Sequence, residues 1–181
     1  MEKIISIQII TPVTHDVRSY QCEKPEDYSF VPGQATEVSI NKDKWKEEKR
    51  PFTFTSLNDA PYLEFTIKSY EDHDGVTNEL SHLQKGDQLI VRDVWGAIEY
   101  KGPGYFIAGG AGITPFIAIL RKLKEDNALD GNVLFFSNKT DNDIILKDEL
   151  KDMLGDSAVF VVTNDINTQH FSGHINEAFL K

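Results

Sequence analysis

Residues 105–115 read Tyr-Phe-Ile-Ala-Gly-Gly-Ala-Gly-Ile-Thr-Pro, an apolar run that ends in closely spaced glycines. This order predicts a buried strand that turns directly into a helix. Glycines allow the backbone to approach a phosphate, and the free N–H groups at a helix N-terminus attract an anion. Pro115 suits the first helical turn, where its missing N–H leaves no hydrogen bond unmade. The stretch therefore predicts a pyrophosphate-binding loop formed by Gly110, Ala111, Gly112, Ile113, Thr114 and Pro115.

The chain after this stretch alternates between strand and helix patterns. Apolar runs at 133–136 and 159–162 are similar to the run at 105–108, and all three are interpreted as strands buried on both faces. Between the runs, apolar residues recur at helical spacing: Phe116, Ile119, Leu120 and Leu123, then Leu146, Leu150, Met153 and Leu154. Alternating strands and helices predict a parallel α/β sheet with right-handed crossovers.

The chain before the glycine stretch favours short antiparallel strands. Leu63, Phe65 and Ile67 alternate with more polar neighbours, which is the pattern of a half-buried strand. Six strands are predicted, at Ile4–Ile10, Val17–Glu23, Ala35–Ile40, Arg50–Ser56, Tyr62–Lys68 and Gln88–Trp95. Turn sequences such as Pro32-Gly33-Gln34 separate them, so a small antiparallel barrel is expected.

Length and composition fit a globular chain of two domains. With 181 residues, of which 40% are hydrophobic, the chain can bury a sizeable core. The two patterns meet near residues 97–103, which predicts one domain over residues 1–100 and a second over residues 101–181. A net charge of −10 argues against nucleic acid as a partner, and the short apolar runs predict no membrane span.

The cysteine and histidine residues exclude several kinds of site. Cys22 is the only cysteine, which rules out an internal disulfide and a cysteine-ligated iron–sulfur cluster. We find no secretory signal pattern and expect a reducing, cytoplasmic location. His170 and His174 are four residues apart, but the turn-like Ser172-Gly173 between them disfavours a helical ligand pair, and no metal site is predicted.

Two motifs in the predicted barrel suit a ligand that has a diphosphate and a large aromatic ring. Arg50-Pro51-Phe52-Thr53 offers a guanidinium, a flat aromatic face and a hydroxyl. Gly75-Val76-Thr77 predicts a glycine turn into a short helix, a second place for an anion. Simpler interpretations exist for single residues: Arg50 as a surface charge, Phe52 as a core residue and Thr77 as a helix N-cap.

The order of these motifs resembles the ferredoxin–NADP reductase superfamily, particularly its bacterial flavodoxin-reductase-like members, along nearly the whole chain. The resemblance implies a Greek-key flavin-binding barrel followed by a nucleotide-binding α/β domain. Arg50-Pro51-Phe52-Thr53 is similar to the family's Arg-x-Tyr-Ser flavin motif, in which the arginine binds the diphosphate. Phe52 keeps the stacking face of tyrosine without its hydroxyl, and Thr53 keeps the hydroxyl near the flavin N5. Gly75-Val76-Thr77 matches the loop that closes on the flavin diphosphate.

The resemblance implies hydride transfer from NAD(P)H to FAD, followed by electron transfer to a small carrier protein such as flavodoxin or ferredoxin. FAD is favoured over FMN on the same ground. Thr53 would tune the flavin, and Thr114 would lie near the nicotinamide, so both are assigned to catalysis. Ile67 and Lys68, on the strand before the Gly75 loop, are assigned to cofactor binding.

The choice between NADH and NADPH is expected after the second parallel strand, where the family recognises the adenosine ribose. Ser137 and Lys139 are the predicted contacts there. Lys139 would attract a 2′-phosphate, whereas Asp141 and Asp143 would repel one. NADPH is preferred and NADH is kept as the alternative donor.

Family members usually continue with further strands and a Cys-Gly-Pro segment that completes the nicotinamide pocket. This chain stops at Lys181, just after the apolar-periodic residues 175–179. We therefore expect a C-terminally incomplete nucleotide domain with an open strand edge at 105–108. A fragment of a longer enzyme is preferred to a variant that binds flavin but reduces poorly.

Three other functions remain open at this stage. The chain could reduce free flavin or an oxygenase partner, and without a cysteine cluster its electrons would have to leave directly from the flavin. It could be a flavin-binding electron-transfer or regulatory subunit without nucleotide turnover. A purely structural protein would require every motif to be accidental. A test of whether a nicotinamide nucleotide reduces the bound flavin distinguishes the reductase hypotheses from the non-catalytic ones.

Overall fold

The structure is a computed structural model that describes residues 2–70, 74–165 and 169–179. Its strands and α-helices in chain order are β1 (Lys3–Pro12), β2 (Val17–Glu23), β3 (Ala35–Ile40), β4 (Arg50–Thr53), β5 (Tyr62–Lys68), α1 (Val76–Ser81), β6 (Gln88–Trp95), β7 (Tyr105–Gly109), α2 (Thr114–Glu125), β8 (Val133–Asn138), α3 (Lys147–Leu154), β9 (Ala158–Val162) and β10 (Phe171–Ser172). Single 3-10 turns lie at Gly110–Ile113, Asp141–Asp143 and Gly155–Ser157.

The first six strands form one antiparallel sheet in the order β4-β3-β6-β1-β2-β5. A single antiparallel bridge from Phe54 to Phe65 joins the two outer strands, so the sheet closes into a barrel. The last barrel strand along the chain lies between the third and the first, which is Greek-key connectivity. The six-stranded barrel predicted from the sequence is confirmed. The prediction for Arg50–Ser56 was too long, because β4 ends at Thr53 and continues only as that one bridge.

The barrel interior is filled by the apolar residues that alternate along its strands. Tyr20, Phe54 and Phe65 are fully buried, and the rings of Phe30 and Phe54 stack with centroids 4.1 Å apart. Cys22 lies in the same core, and burial raises the pKa of its thiol to about 12. A thiol held so strongly in its neutral form is a packing residue and not a nucleophile.

The second sheet is parallel, in the order β10-β9-β8-β7, and so confirms the predicted α/β unit. Helices α2 and α3 pack on one face of this sheet and bury Phe106, Leu134 and Phe136. The prediction of strands buried on both faces was wrong for β7, where Tyr105 is 75% exposed and Ile107 is 51% exposed. Among the described residues β7 is an edge strand, and both helices lie on its other face.

The second predicted helical stripe begins one residue too early. Leu146 was taken as part of the helix, but it has a left-handed φ of 52°, and α3 begins at Lys147. Ile144 and Ile145 are already buried, so the chain enters the helix from the core through a tight turn at Leu146. Leu150 and Met153 occupy the buried face as predicted.

The two sheets are joined by a segment that packs tightly on the barrel. Gly33 has a φ of +97°, and a Cβ placed there would lie 2.3 Å from the Ile98 carbonyl oxygen and 3.2 Å from Cδ1 of Ile119. The Pro32-Gly33-Gln34 turn, which was predicted before the third strand, therefore also seats the linker and α2. No helix within the described ranges is both long and apolar enough to cross a membrane.

Candidate functional site

The glycine loop lies where β7 turns into α2. Gly110 takes a left-handed φ of +48°, and the loop makes one 3-10 turn before the helix begins at Thr114. The Thr114 hydroxyl donates to the Ala111 carbonyl at 3.1 Å, which fixes the turn. Nothing lies within 4 Å of where a Cβ of Gly110 or Gly112 would be. The loop thus presents open backbone at the start of a 12-residue helix, as an anion requires.

This loop faces the barrel across a cleft of about 200 Å³. Both halves of the chain contribute to its walls, which are Pro51, Phe52, Thr53, Thr66, Ile67, Lys68, Tyr70, Thr77, Ala111 and Thr114. The structure therefore brings Thr53 and Thr114, the two residues assigned to catalysis, to one cleft. We call it the barrel–loop cleft.

Strand alternation explains which groups the barrel offers to this cleft. On β5, Phe65 and Ile67 are buried with the barrel core, so Ile67 contributes mainly its backbone. Thr66 and Lys68 belong to the opposite face of the same strand. Phe52 on β4 is half-buried against the barrel core while it also lines the cleft.

A second cleft, of about 240 Å³, adjoins the C-terminal ends of the parallel strands. Its walls are Lys68, Gly110, Ser137, Asn138, Lys139, Asp143 and Thr163. This is the edge at which open α/β sheets bind their ligands. We call it the strand-end cleft. Lys68 lines both clefts, so the two are neighbours at this side chain.

Asn138 is a candidate residue that the sequence reasoning missed. It ends β8, is only 6% exposed, and neither its amide nitrogen nor its amide oxygen has a hydrogen-bond partner among the described residues. A buried amide without partners is costly, so such a group is expected to pair with a ligand. The available signal was the place of Asn138 in the segment Ser137-Asn138-Lys139-Thr140, which follows the buried run at 133–136.

The charges around Lys139 are more favourable to a phosphate than the sequence suggested. Asp141 accepts hydrogen bonds from Lys147 at 2.7 and 2.9 Å and contacts His170 at 2.6 Å. The Lys147 hydrogen bonds, followed by that of His170, hold the pKa of Asp141 below its usual value. Asp143 accepts from the Thr140 N–H and hydroxyl, while Lys139 is exposed and makes no ion pair within the described ranges.

Lys68 is already paired in this structure. Its ammonium lies 2.7 Å from a carboxylate oxygen of Asp16, in the turn between β1 and β2. Burial raises the pKa of Asp16, but hydrogen bonds from Lys68 and Thr14 outweigh it, and the pKa lies below its usual value. Asp16 is therefore ionised at neutral pH and holds the Lys68 side chain between the two clefts.

Six residues assigned from the sequence do not line either cleft: Arg50, Gly75, Val76, Gly112, Ile113 and Pro115. Arg50 is exposed, donates to the Lys49 carbonyl at 2.7 Å and lies 3.5 Å from Glu48. The side chains of Val76 and Ile113 are buried in the two cores, so only their backbone could reach a ligand. Gly75 is the N-cap of α1 and has nothing within 4 Å of an added Cβ.

These observations fit FAD on the barrel and a nicotinamide nucleotide on the glycine loop. The barrel–loop cleft joins the aromatic face of Phe52 and the Thr53 hydroxyl to the loop. The open backbone at Gly110 and Gly112 suits a pyrophosphate, and the Asn138 amide supplies hydrogen-bonding groups that no described residue uses.

Comparison with known proteins gives the same two ligands. Residues 5–100 match the family model described as the oxidoreductase FAD-binding domain. Residues 106–181 match the model described as the oxidoreductase NAD-binding domain. The two models lie in the order that the motifs predicted.

Among curated proteins, the chain is similar to NADH-cytochrome b5 reductase 2 of Mycosarcoma maydis, with 25% identity over 194 residues that cover 97% of this chain and 55% of that protein. It is also similar to the reductase component of propane 2-monooxygenase of Rhodococcus jostii, with 27% identity over 151 residues that cover 80% of this chain and 40% of that protein. The chain spans about half the length of the curated relatives it matches.

Among solved structures, the fold is similar to a ferredoxin–NADP+ reductase from Neisseria gonorrhoeae with bound FAD and NADP. The TM-score is 0.81 at 22% identity, over 96% of this chain and 73% of that chain. At this identity the likeness concerns the fold, and the family models carry the assignment. The chain belongs to the family of oxidoreductases that these models describe, with an FAD-binding and an NAD-binding domain, and it has the fold of the ferredoxin–NADP reductases.

Proposed function

We propose that this chain is the flavin- and nucleotide-binding part of an NAD(P)H-dependent reductase that passes electrons on to a carrier protein. The observation that carries the proposal is the barrel–loop cleft. There, Phe52 and Thr53 of the flavin motif share one cavity with Ala111 and Thr114 of the glycine loop. Hydride transfer needs two rings in contact, and a cleft lined from both halves is the arrangement that permits it.

The barrel residues have separate roles in this proposal. Arg50 would bind the diphosphate through its guanidinium, because a planar fork of donors matches phosphate oxygens. The first backbone hydrogen bonds of α1 run from Asn78 and Glu79 to the Gly75 carbonyl. The N–H groups of Val76 and Thr77 therefore have no partner within the helix and remain available to a phosphate.

The residues of the second sheet would hold the nucleotide. The N–H groups of the glycine loop would bind its pyrophosphate, while Asn138 and Ser137 would bind its ribose at the end of β8. Lys139 would bind a 2′-phosphate, and we propose NADPH as the preferred donor on the ground that Lys147 neutralises the charge of Asp141.

The chemistry itself needs little from the protein beyond position. Bound FAD supplies the hydride acceptor and NAD(P)H the donor. The hydroxyl of Thr53 is a hydrogen-bond donor at the barrel wall, and Thr114 keeps the loop in place through its bond to Ala111. Thr66 and Tyr70 line the same cleft.

The most specific part of the proposal is the identity of the electron acceptor. We propose a small carrier protein such as flavodoxin or ferredoxin, in keeping with the motif order. The names of the relatives include a cytochrome b5 reductase and a monooxygenase reductase component, so these acceptor classes belong in the same assay. An acidic carrier would require a local basic patch on this chain, whose net charge is −10.

An anaerobic titration tests the proposal. The chain is loaded with FAD, NADPH or NADH is added separately, and the visible flavin absorption is followed. Bleaching by one nucleotide supports a reductase and identifies its donor. A stable flavin complex that neither nucleotide bleaches would instead support a flavin-binding subunit or fragment without turnover. Failure to bind flavin would contradict the roles of Arg50, Phe52 and Thr53. Gly112→Val is the control, because it should block the nucleotide and leave the flavin content unchanged.

A further inference from the structure

Arg121 joins three segments of the chain that are distant in sequence. It lies on α2, and its Nη1 donates at 2.6 Å both to Oε1 of Glu64 on β5 and to the Thr55 carbonyl after β4. On the other side, Nε and Nη2 donate to the two carboxylate oxygens of Glu149 on α3, at 2.6 and 2.9 Å. One guanidinium thus fastens both helices of the second sheet to the barrel.

The carboxylate that receives Arg121 is part of the barrel wall. Glu64 is 6% exposed and also accepts from the Thr55 hydroxyl at 2.8 Å. The Thr55 hydroxyl lies 3.2 Å from that of Thr66, which lines the barrel–loop cleft. A continuous polar chain therefore runs from the guanidinium to the cleft through Glu64, Thr55 and Thr66.

Both ends of this connection lead to groups that would meet the ligands. Along α2, Arg121 is seven residues after Thr114, which is about 10 Å of helix. Along β5, Glu64 is four residues before Lys68, which is about 13 Å of strand. Neither a helix nor a strand in a barrel stretches easily, so the attachment of α2 to β5 fixes the distance between the glycine loop and the flavin strands.

We propose that Arg121 is a positioning residue that sets the contact between nicotinamide and flavin by clamping α2 to Glu64; this inference rests on the proposed function. Arg121 lines neither the barrel–loop cleft nor the strand-end cleft. It acts through the elements it joins. A lysine could supply the charge but not the fork of donors that reaches Glu64, Thr55 and Glu149 together.

The charges of Arg121, Glu64 and Glu149 favour the contact between α2 and the barrel. Burial raises the pKa of the Glu64 carboxyl, but the charge and hydrogen bonds of Arg121, helped by Thr55, outweigh it and hold the pKa below its usual value. The carboxylates of Glu149 and Glu64 in turn raise the pKa of Arg121 against the effect of burial. Loss of the guanidinium would leave a buried carboxylate facing α2, which would push the two halves apart.

The first test compares Arg121→Met with Lys122→Met in the full chain. Lys122 is the next residue on the same helix, and among the described residues it pairs with Glu125 of that helix and with Asp126 just after it. We expect Arg121→Met to slow flavin reduction about 100-fold, the cost of a displacement near 1 Å. The long-wavelength absorption of nicotinamide stacked on flavin should also weaken. The Kd values for FAD and for the nucleotide should stay close to those of the parent chain.

Two results would overturn the proposal. One is reduction by Arg121→Met at the rate of Lys122→Met. The other is a parallel loss of both binding affinities, since that would indicate a structural role and not a positioning one. If Arg121→Met does not fold, Arg121→Lys replaces it: it retains the charge without the fork of donors and should reduce flavin more slowly than Lys122→Met, and an equal rate would overturn the proposal.

Hydrogen exchange of the ligand-free chain separates failure of the clamp from failure of the proposed function. In Arg121→Met, amides of Leu63–Lys68 on β5 and of α2 should exchange faster, while Lys122→Met should match the parent chain. Unchanged exchange would contradict the clamp whatever the activity. If neither nucleotide reduces the flavin of the parent chain, the proposed reductase function is wrong, and the same exchange data show whether Arg121 still joins the two halves.

Discussion

Asn132 and Asn138 lie at opposite ends of β8, and their buried side-chain amides differ in hydrogen bonding. Asn132 is 2% exposed and makes four hydrogen bonds, to the Gly104 N–H, the Tyr100 hydroxyl and the Ala128 and Leu129 carbonyls. Asn138 is 6% exposed, and its side-chain amide makes none to the part of the chain that the structure describes. The first amide completes the fold, and we propose that the second pairs with a ligand.

Replacing each asparagine by leucine should therefore change stability in opposite directions. Asn138→Leu removes an unsatisfied buried amide and should raise the free energy of unfolding by about 1–3 kcal/mol, while nucleotide affinity falls about tenfold. Asn132→Leu leaves four groups without their hydrogen-bond partner and should lower the free energy of unfolding by a similar amount. Urea unfolding without nucleotide and calorimetric titration measure the two effects. Equal destabilisation by both variants would contradict a ligand-binding role for Asn138.

Arg50→Ala should weaken FAD binding by about 1.5–3 kcal/mol, because a charge-assisted contact to the diphosphate is lost. The measurement is the Kd from quenching of flavin fluorescence. Lys85→Ala is the matched control: it removes the same charge at an exposed position between α1 and β6. If both variants bind FAD equally well, Arg50 is a surface charge, as its contacts with Lys49 and Glu48 alone would suggest.

Lys139→Ala should raise the Kd for NADPH about tenfold or more and leave that for NADH nearly unchanged, since only NADPH carries the 2′-phosphate. Lys124→Ala on the exposed side of α2 corrects for the general loss of positive charge. If the Kd values for NADPH and NADH rise equally, Lys139 does not determine which nucleotide is the donor. That result would also leave NADH as the better candidate.

Gly33→Ala should lower the free energy of unfolding by more than about 1 kcal/mol, through backbone strain and a clash with the Ile98 carbonyl. Gly86→Ala is the control, because Gly86 has a similar φ of +95° but nothing within 4 Å of an added Cβ. The difference between the two variants in urea unfolding measures the cost of moving the linker. Equal free energies of unfolding for the two variants would mean that the linker moves without cost, and that Gly33 does not help to position α2.

The cost of Arg121→Met should depend on pH. In the parent chain the pKa of Glu64 lies below its ordinary value of 4.5, so its contribution to stability is present above about pH 4.5 and lost as the pH falls. Without Arg121, burial should raise that pKa instead, so the ionised carboxylate then destabilises the fold and protonation relieves the penalty. The stability difference should be largest at neutral pH and shrink below about pH 4.5. In a Glu64→Gln background this pH dependence should become weaker, and a dependence that is unchanged there would show that it comes from another group.

The barrel and the parallel sheet could be predicted because their signals are local. Alternation along β5 and the glycines after β7 can be recognised within ten residues. The exposed face of β7 could not be predicted from the sequence. Tyr105, Phe106, Ile107 and Ala108 are all apolar, so their order does not show whether one face of the strand is buried or both. The left-handed turn at Leu146 likewise depends on the burial of Ile144 and Ile145.

The sequence offered candidate site residues where a motif is contiguous and offered none where the candidates depend on contacts between distant segments. The Arg50–Thr53 and Gly110–Pro115 motifs are short runs that a sequence displays directly. Arg121 and Glu64 are 57 residues apart, and nothing in either neighbourhood indicates the other. Whether the amide of Asn138 is satisfied depends on every segment packed around it, which a sequence alone does not reveal.

The Greek-key order has a consequence for synthesis of the chain. β6 is the last barrel strand to be made, yet it lies in the middle of the sheet, between β3 and β1. Without β6, the barrel strands of the finished fold would form a β3–β4 hairpin and a β1–β2–β5 sheet, with the bridge from Phe54 to Phe65 as the strand pairing between them. A nascent chain cannot close this barrel progressively, and its folding must wait for one late strand that forms two ladders at once.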